Sequence, residues 1–231
     1  MLLLTGCSTL RLAYNSGPQL AWWWVDGQFD FSREQAPAVR RALDQWFDWH
    51  RGSQLTDSAA LLAAWQPQVL EPATAGRVCG WLDQARERLQ PALDQALVLA
   101  AGQALRLREP QFRHLEQQHA KALARLREDF LQPDPEARLK AATGRSVDRA
   151  ESFYGSLGEA QKRVLAAGAV ASPFDAEAWL AERQARQRDT VVVLRRLVAD
   201  GADNATAQAA LRALAERVER SPRPAYRAYQ Q

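Results

Sequence analysis

Side chains able to do chemistry are few in this chain and widely spaced. Three histidines and two cysteines stand among 231 residues. A proton carrier or a metal ligand would come first from a histidine, whose ordinary pKa lies near neutrality. Glu116-x-x-His119 has the carboxylate–imidazole spacing that one helix of a di-iron bundle contributes. Such a centre takes two of these pairs and two further glutamates, and the pair occurs once. It reads as a surface feature or as a hydrogen-bonded core histidine. His50, between Trp49 and Arg51, is the most suggestive position, and its expected role is structural, with the imidazole bonded to a neighbouring helix. A haem-attaching Cys-x-x-Cys-His, a Gly-rich phosphate loop and a Gly-x-Ser-x-Gly elbow are all absent from the sequence. The chain is therefore expected to be no enzyme and to carry no catalytic residue, metal or cofactor.

One cysteine does have a chemical setting. In Met1-Leu2-Leu3-Leu4-Thr5-Gly6-Cys7 an apolar run meets a small-residue pair and then a thiol. Leu4-Thr5-Gly6-Cys7 resembles a bacterial lipobox. That resemblance implies a diacylglycerol on the Cys7 sulfur, cleavage of the peptide bond before it and acylation of the new amino terminus. The small residues admit the backbone to a peptidase, and the sulfur is the nucleophile. No basic n-region precedes the run, which is shorter than the ~7–15 residues of a full h-region, so residues 1–6 are expected to be a truncated signal remnant. Several acyl chains, at roughly 0.8 kcal/mol per buried CH₂, would hold the protein on a membrane without crossing it. No stretch approaches the ~20 apolar residues of a spanning helix. Ser8, where an aspartate would signal inner-membrane retention, implies by the same resemblance the outer membrane, with the body facing the periplasm. Cys79 is then without a partner, and Val78-Cys79-Gly80-Trp81 reads as a small buried hydrophobe.

The elements that must carry these residues all read as helices. Ala and Leu dominate, and β-branched residues are sparse outside Thr190-Val191-Val192-Val193. Ser16-Gly17-Pro18 opens a short helix bearing Trp22, Trp23 and Trp24. Ser32-Arg33-Glu34-Gln35 is a capping box. After it Ala36, Val39, Leu43, Trp46, Phe47 and His50 step by three and four along one face, while Arg40, Arg41, Asp44, Asp48 and Arg51 take the other. A helix near Leu61 and Trp65 stops near Pro67, and a long one follows Pro72 with Val78, Leu82, Ala85, Leu89, Leu93, Ala96, Ala100 and Leu105 as its expected buried face. Pro91 is expected to kink or split it. Further helices open at Glu109-Pro110, run to about Tyr154, surround Leu165, extend from Asp175 to Asp200 and end through Val218. The arginines of the Asp175 helix, Arg183, Arg186, Arg188, Arg195 and Arg196, are expected on a solvated face paired with Glu182 and Asp189. No linker is long or polar enough to divide the chain, so residues 7–220 are expected to form one all-α domain, a bundle of about seven to eight helices, followed by a loose tail over 221–231. Thirty basic against 27 acidic side chains give a net charge of +3 without a dense cationic patch, and nucleic-acid binding is not indicated.

Three consecutive indoles on a helix point about 100° apart, so at least one of Trp22, Trp23 and Trp24 must be exposed or meet another element, with a lipid surface as one option. Phe31 to Gln35, Leu107 to Gln111 and Leu157 to Gln161 repeat an apolar residue, three positions and a Gln, followed four residues on by Val39, Leu115 and Leu165. Helix initiation explains the repeat, with Gln at the third helical position. The pattern also resembles the Leu-Thr-x-x-Gln motifs of Spy-like periplasmic chaperones and stress sensors, without their Thr. A longer likeness covers most of the mature chain. Tyr14-Asn15, the tryptophan cluster, Phe29-Asp30, Gln35, Trp49-His50-Arg51, Gly155-x-Leu157-x-x-x-Gln161 and Trp179-Leu180-x-x-Arg183 together resemble a family of proteobacterial lipoproteins known only as a domain of unknown function. That resemblance implies an all-helical, lipid-anchored protein and marks Trp49, His50, Arg51, Trp179 and Arg183 as candidate binding positions. A binding or structural role in the cell envelope, with an envelope protein as partner, is the expected function; the alternative is a Spy-like chaperone or envelope-stress sensor.

Overall fold

The computed structural model describes residues 11–72, 74–224, 226 and 227. The described residues are helical and contain no strand, as the sequence predicts. Nine α-helices have both ends described: α1 (Gly17–Phe29), α2 (Ala36–Ser53), α3 (Leu55–Trp65), α4 (Ala75–Ala104), α5 (Glu109–Phe130), α6 (Pro135–Tyr154), α7 (Glu159–Ala171), α8 (Ala176–Ala199) and α9 (Asn204–Glu219). With the 3₁₀ turn Gln68–Leu70 these make ten, so seven to eight is an undercount. Cys7 and the expected signal remnant lie outside the described residues.

Local chemistry explains where the helices begin and end. Side chains at the caps accept from backbone N–H groups that have no intrahelical partner. Thr74 Oγ1 takes Arg77 N (3.3 Å), Asp134 takes Ala137 N (2.9 Å), Asp175 takes Glu177 N (2.9 Å) and Asp203 takes Thr206 N (2.7 Å). Gly155 after α6 has φ 75° and Gly201 after α8 has φ 60°, the left-handed region where a side chain is strained.

The chain divides into two compact units. One comprises the residues up to Leu115 together with Val192–Glu216; the other comprises Glu116–Val191 and the residues from Arg217. The boundaries fall inside α5, α8 and α9, so no flexible, polar stretch marks them in the sequence. In the first unit α1 and α4 both pack on α2. α2 has the predicted two faces: Val39 is buried, Leu43, Trp46, Phe47 and His50 are half-buried, and Arg40, Arg41, Asp44, Asp48 and Arg51 are exposed. A Cβ on Gly17 would collide with the Phe47 ring, so this glycine sets how closely α1 approaches α2. Trp22 is buried, while Trp23 and Trp24 face outward. In the second unit α6 and α7 pack on one another, and Leu123, Ala176, Leu180 and Val191 are buried.

Two expectations fail here, and of the two outcomes expected at Pro91 a split is ruled out, since α4 runs unbroken through it. Its expected buried face is largely exposed at Val78, Leu82, Leu89 and Leu93. Ala101 and Ala104 are the buried residues near its end, and elsewhere longer polar and aromatic groups make the contacts: Trp81 Nε1 donates to Gln68 Oε1 (2.9 Å), Trp46 Nε1 to the Ala92 carbonyl (2.9 Å), and Arg88 reaches Gln54. Cys79 is exposed rather than a buried hydrophobe, because it lies off those contacts.

Candidate functional site

Trp49, His50 and Arg51 occupy the last two turns of α2, and their neighbours come from the chain before α1 and from α4. Tyr14 Oη lies 2.8 Å from His50 Nδ1. The Trp46 ring stacks on the imidazole at 4.9 Å, Phe47 stands edge-on to both Tyr14 (6.0 Å) and Trp46 (5.0 Å), and Trp49 meets His50 edge-on at 6.5 Å. Arg51 is exposed, with its guanidinium 5.6 Å from the Tyr14 ring centre and 3.4 Å from Asp48. Burial, helped by the Arg88 charge, holds the His50 pKa below its ordinary 6.5. A neutral imidazole with aromatic and cationic surroundings is a pin: it fastens Tyr14 to the end of α2.

In the second unit two sequence motifs meet. Trp179 and Arg183 lie one turn apart on α8, with the arginine 5.9 Å from the indole centre. Trp179 packs against Phe130 (5.0 Å) and Phe174 (5.9 Å), and the Arg145 guanidinium caps Phe130 at 4.1 Å. The Glu116-x-x-His119 pair of α5 belongs to the same neighbourhood. Burial and the nearby Arg183 charge lower the His119 pKa, with Glu116 acting against them. Among the described residues no three His, Cys, Asp or Glu side chains gather in a way that could hold a metal ion.

Two further arrangements are built from hydrogen bonds, and the first has little sequence signal. Glu182, expected on a solvated face, is 4% exposed. It receives Arg186 Nε (2.8 Å) and the Arg223 guanidinium, whose Nη1 also reaches Asp189 (3.3 Å). Burial pushes the Glu182 carboxyl up, but the bonds from Arg223, Arg186 and Ser221 outweigh it and hold the pKa below the ordinary 4.5. Ser221 is fully buried, so the segment expected as a loose tail is tied down at its start. Glu182 and Asp189 are seven apart and share a helix face, a faint signal that says nothing of Arg223.

The second arrangement explains the repeated glutamine. Gln35, Gln111 and Gln161 each use Oε1 to accept from the backbone N–H three residues earlier, at Ser32 (3.1 Å), Arg108 (2.9 Å) and Gly158 (2.9 Å). Helix initiation is therefore what the three copies do. The first two also touch: Gln35 Nε2 donates to Gln111 Oε1 (3.1 Å) and to the Arg106 carbonyl (2.7 Å), joining the starts of α2 and α5.

Residues 28–227 match DUF6279, a family of unknown function. No curated protein and no solved structure matches the chain.

Proposed function

The chain belongs to the DUF6279 family, and we propose that it is a lipid-anchored protein of the cell envelope with a binding or structural role. Its anchor is Cys7, it sits at the outer membrane facing the periplasm, and it engages an envelope protein. The observation that carries this reading is Leu4-Thr5-Gly6-Cys7 ahead of an all-helical body in which no described helix is long and apolar enough to cross a membrane. The pinned imidazole, the cation-capped aromatic cluster and the Glu182 clamp support a structural reading of the body, since each fastens one segment to another. Mass spectrometry of the amino-terminal peptide after membrane extraction tests the anchor: Cys7 should carry acyl chains as the first residue, and an unmodified peptide extending back to Met1 would refute it. Crosslinking in intact envelopes should capture one dominant protein.

The exposed stripe Val78, Leu82, Leu89 and Leu93 on α4 favours a second reading, in which the protein holds unfolded clients as a Spy-like chaperone or stress sensor. Suppression of client aggregation, lost on Leu82→Asp and Leu89→Asp, distinguishes it.

A further inference from the structure

We propose that the outer face of α1, formed by Leu20, Trp23 and Trp24 with Leu12 one step upstream, lies flat against the lipid surface that Cys7 anchors to. From Leu12 to Val25 fourteen residues pass without a charged side chain, in a chain that is 25% charged. The helix sorts them. Tyr14 is taken by His50, and Trp22, 6% exposed, is covered by Phe31 and by the Arg40 guanidinium 4.2 Å from its ring centre. Leu12, Leu20, Trp23 and Trp24 turn outward at 68%, 50%, 61% and 69% exposure. At about 100° per residue these four fall within about 120° of one another, and the positions between them, Ser16 and Gly27, are small and exposed.

Paired indoles on an open face match the membrane–water boundary, where an apolar ring with one polar N–H is favoured. The face is far too short to span and carries no charge, which suits a helix lying in the interface. Chain length brings the two together. Cys7 and Leu12 are five residues apart, at most ~18 Å when fully extended. The nearness of the bilayer rests on the lipid-anchor reading proposed above. Given that anchor, the face meets lipid at an effective concentration of order millimolar, enough for weak contacts to be occupied.

The test uses the full chain with Cys7→Ser, which carries no acyl group, mixed with phosphatidylethanolamine–phosphatidylglycerol vesicles whose acyl chains are brominated. Tryptophan emission should be quenched on binding, and Trp23→Ser with Trp24→Ser in the same background should weaken partition at least ~tenfold and abolish the quenching. Leu20→Asp, which leaves every indole in place, should weaken it in the same direction, so a poorly folded double variant does not shelter the proposal. Unquenched emission at saturating lipid, equal quenching in the variants, or a lipid-free dimer that shields the two indoles would each overturn it. The anchor is scored separately: an unacylated native protein whose Cys7→Ser form still binds these vesicles removes the anchor and keeps the face. An acylated native protein whose tryptophans stay unquenched in brominated vesicles keeps the anchor and removes the face.

Discussion

His50 and His119 are both held neutral by burial and by arginine charges, so the folded chain binds fewer protons than the unfolded one. Their contribution to stability is complete above the ordinary histidine value of 6.5 and is lost progressively as pH falls below it. Glu182 works in a separate window. Its pKa is depressed, so its contribution is present above 4.5 and disappears as pH falls through the folded value. A melting series from pH 7.5 to 5.5 should therefore show a decline that His50→Gln and His119→Gln each reduce, and that Glu182→Gln does not alter in slope. A pH-independent melting temperature over that range would contradict the assignment. The clamp itself predicts a larger effect. Arg223→Ala removes one of two arginines from a buried carboxylate; it should cost about 2 kcal/mol, less than the ~3–5 kcal/mol of stripping a buried charge bare, because Arg186 remains. Chemical denaturation of the two proteins measures the difference. Gln35, Gln111 and Gln161 were readable at this scale because a capping glutamine acts within three residues of itself. Arg223 was not, since its carboxylates lie 41 and 34 residues away in the chain.

Helices α1, α2 and α4 meet through aromatic side chains, and this fixes the order of several substitutions. Trp46 is half-buried, stacks on His50 and donates to the Ala92 carbonyl, so Trp46→Ala should cost about 3 kcal/mol, at the lower end of the range for a large aromatic. Arg51→Ala, at an exposed helix end, should cost under about 1 kcal/mol. Equal losses of melting temperature would mean that α2 is not anchored by its aromatic face. Gly17→Ala should also destabilise, by about 1–3 kcal/mol, because the added methyl enters the Phe47 ring where α1 crosses α2. The two faces of α2 were legible in the sequence, since apolar spacing and packing coincide there. On α4 they diverge. Its aliphatic stripe is open, and Trp81, Arg88 and the Ala92 carbonyl make the contacts, so periodicity alone pointed to the wrong side.

At the scale of the whole molecule, helical class follows from composition and from local caps, and it holds throughout the described residues. Division into two units was illegible because its boundaries run through helices, where no glycine- or proline-rich linker could announce them. Of the candidate positions, His50 and Arg51 meet Tyr14 while Trp49 touches the His50 ring, and Trp179 and Arg183 gather near Phe130 and His119; both groups are tied by aromatic and cationic contacts that no single motif displays. The proposed function rests on the proposed anchor. Fractionation of the Cys7→Ser variant tests it most directly: after a high-salt wash the native protein should stay with the outer membrane and the variant should move to the soluble periplasmic fraction, whereas a variant retained with membranes to the native extent would contradict the lipid anchor.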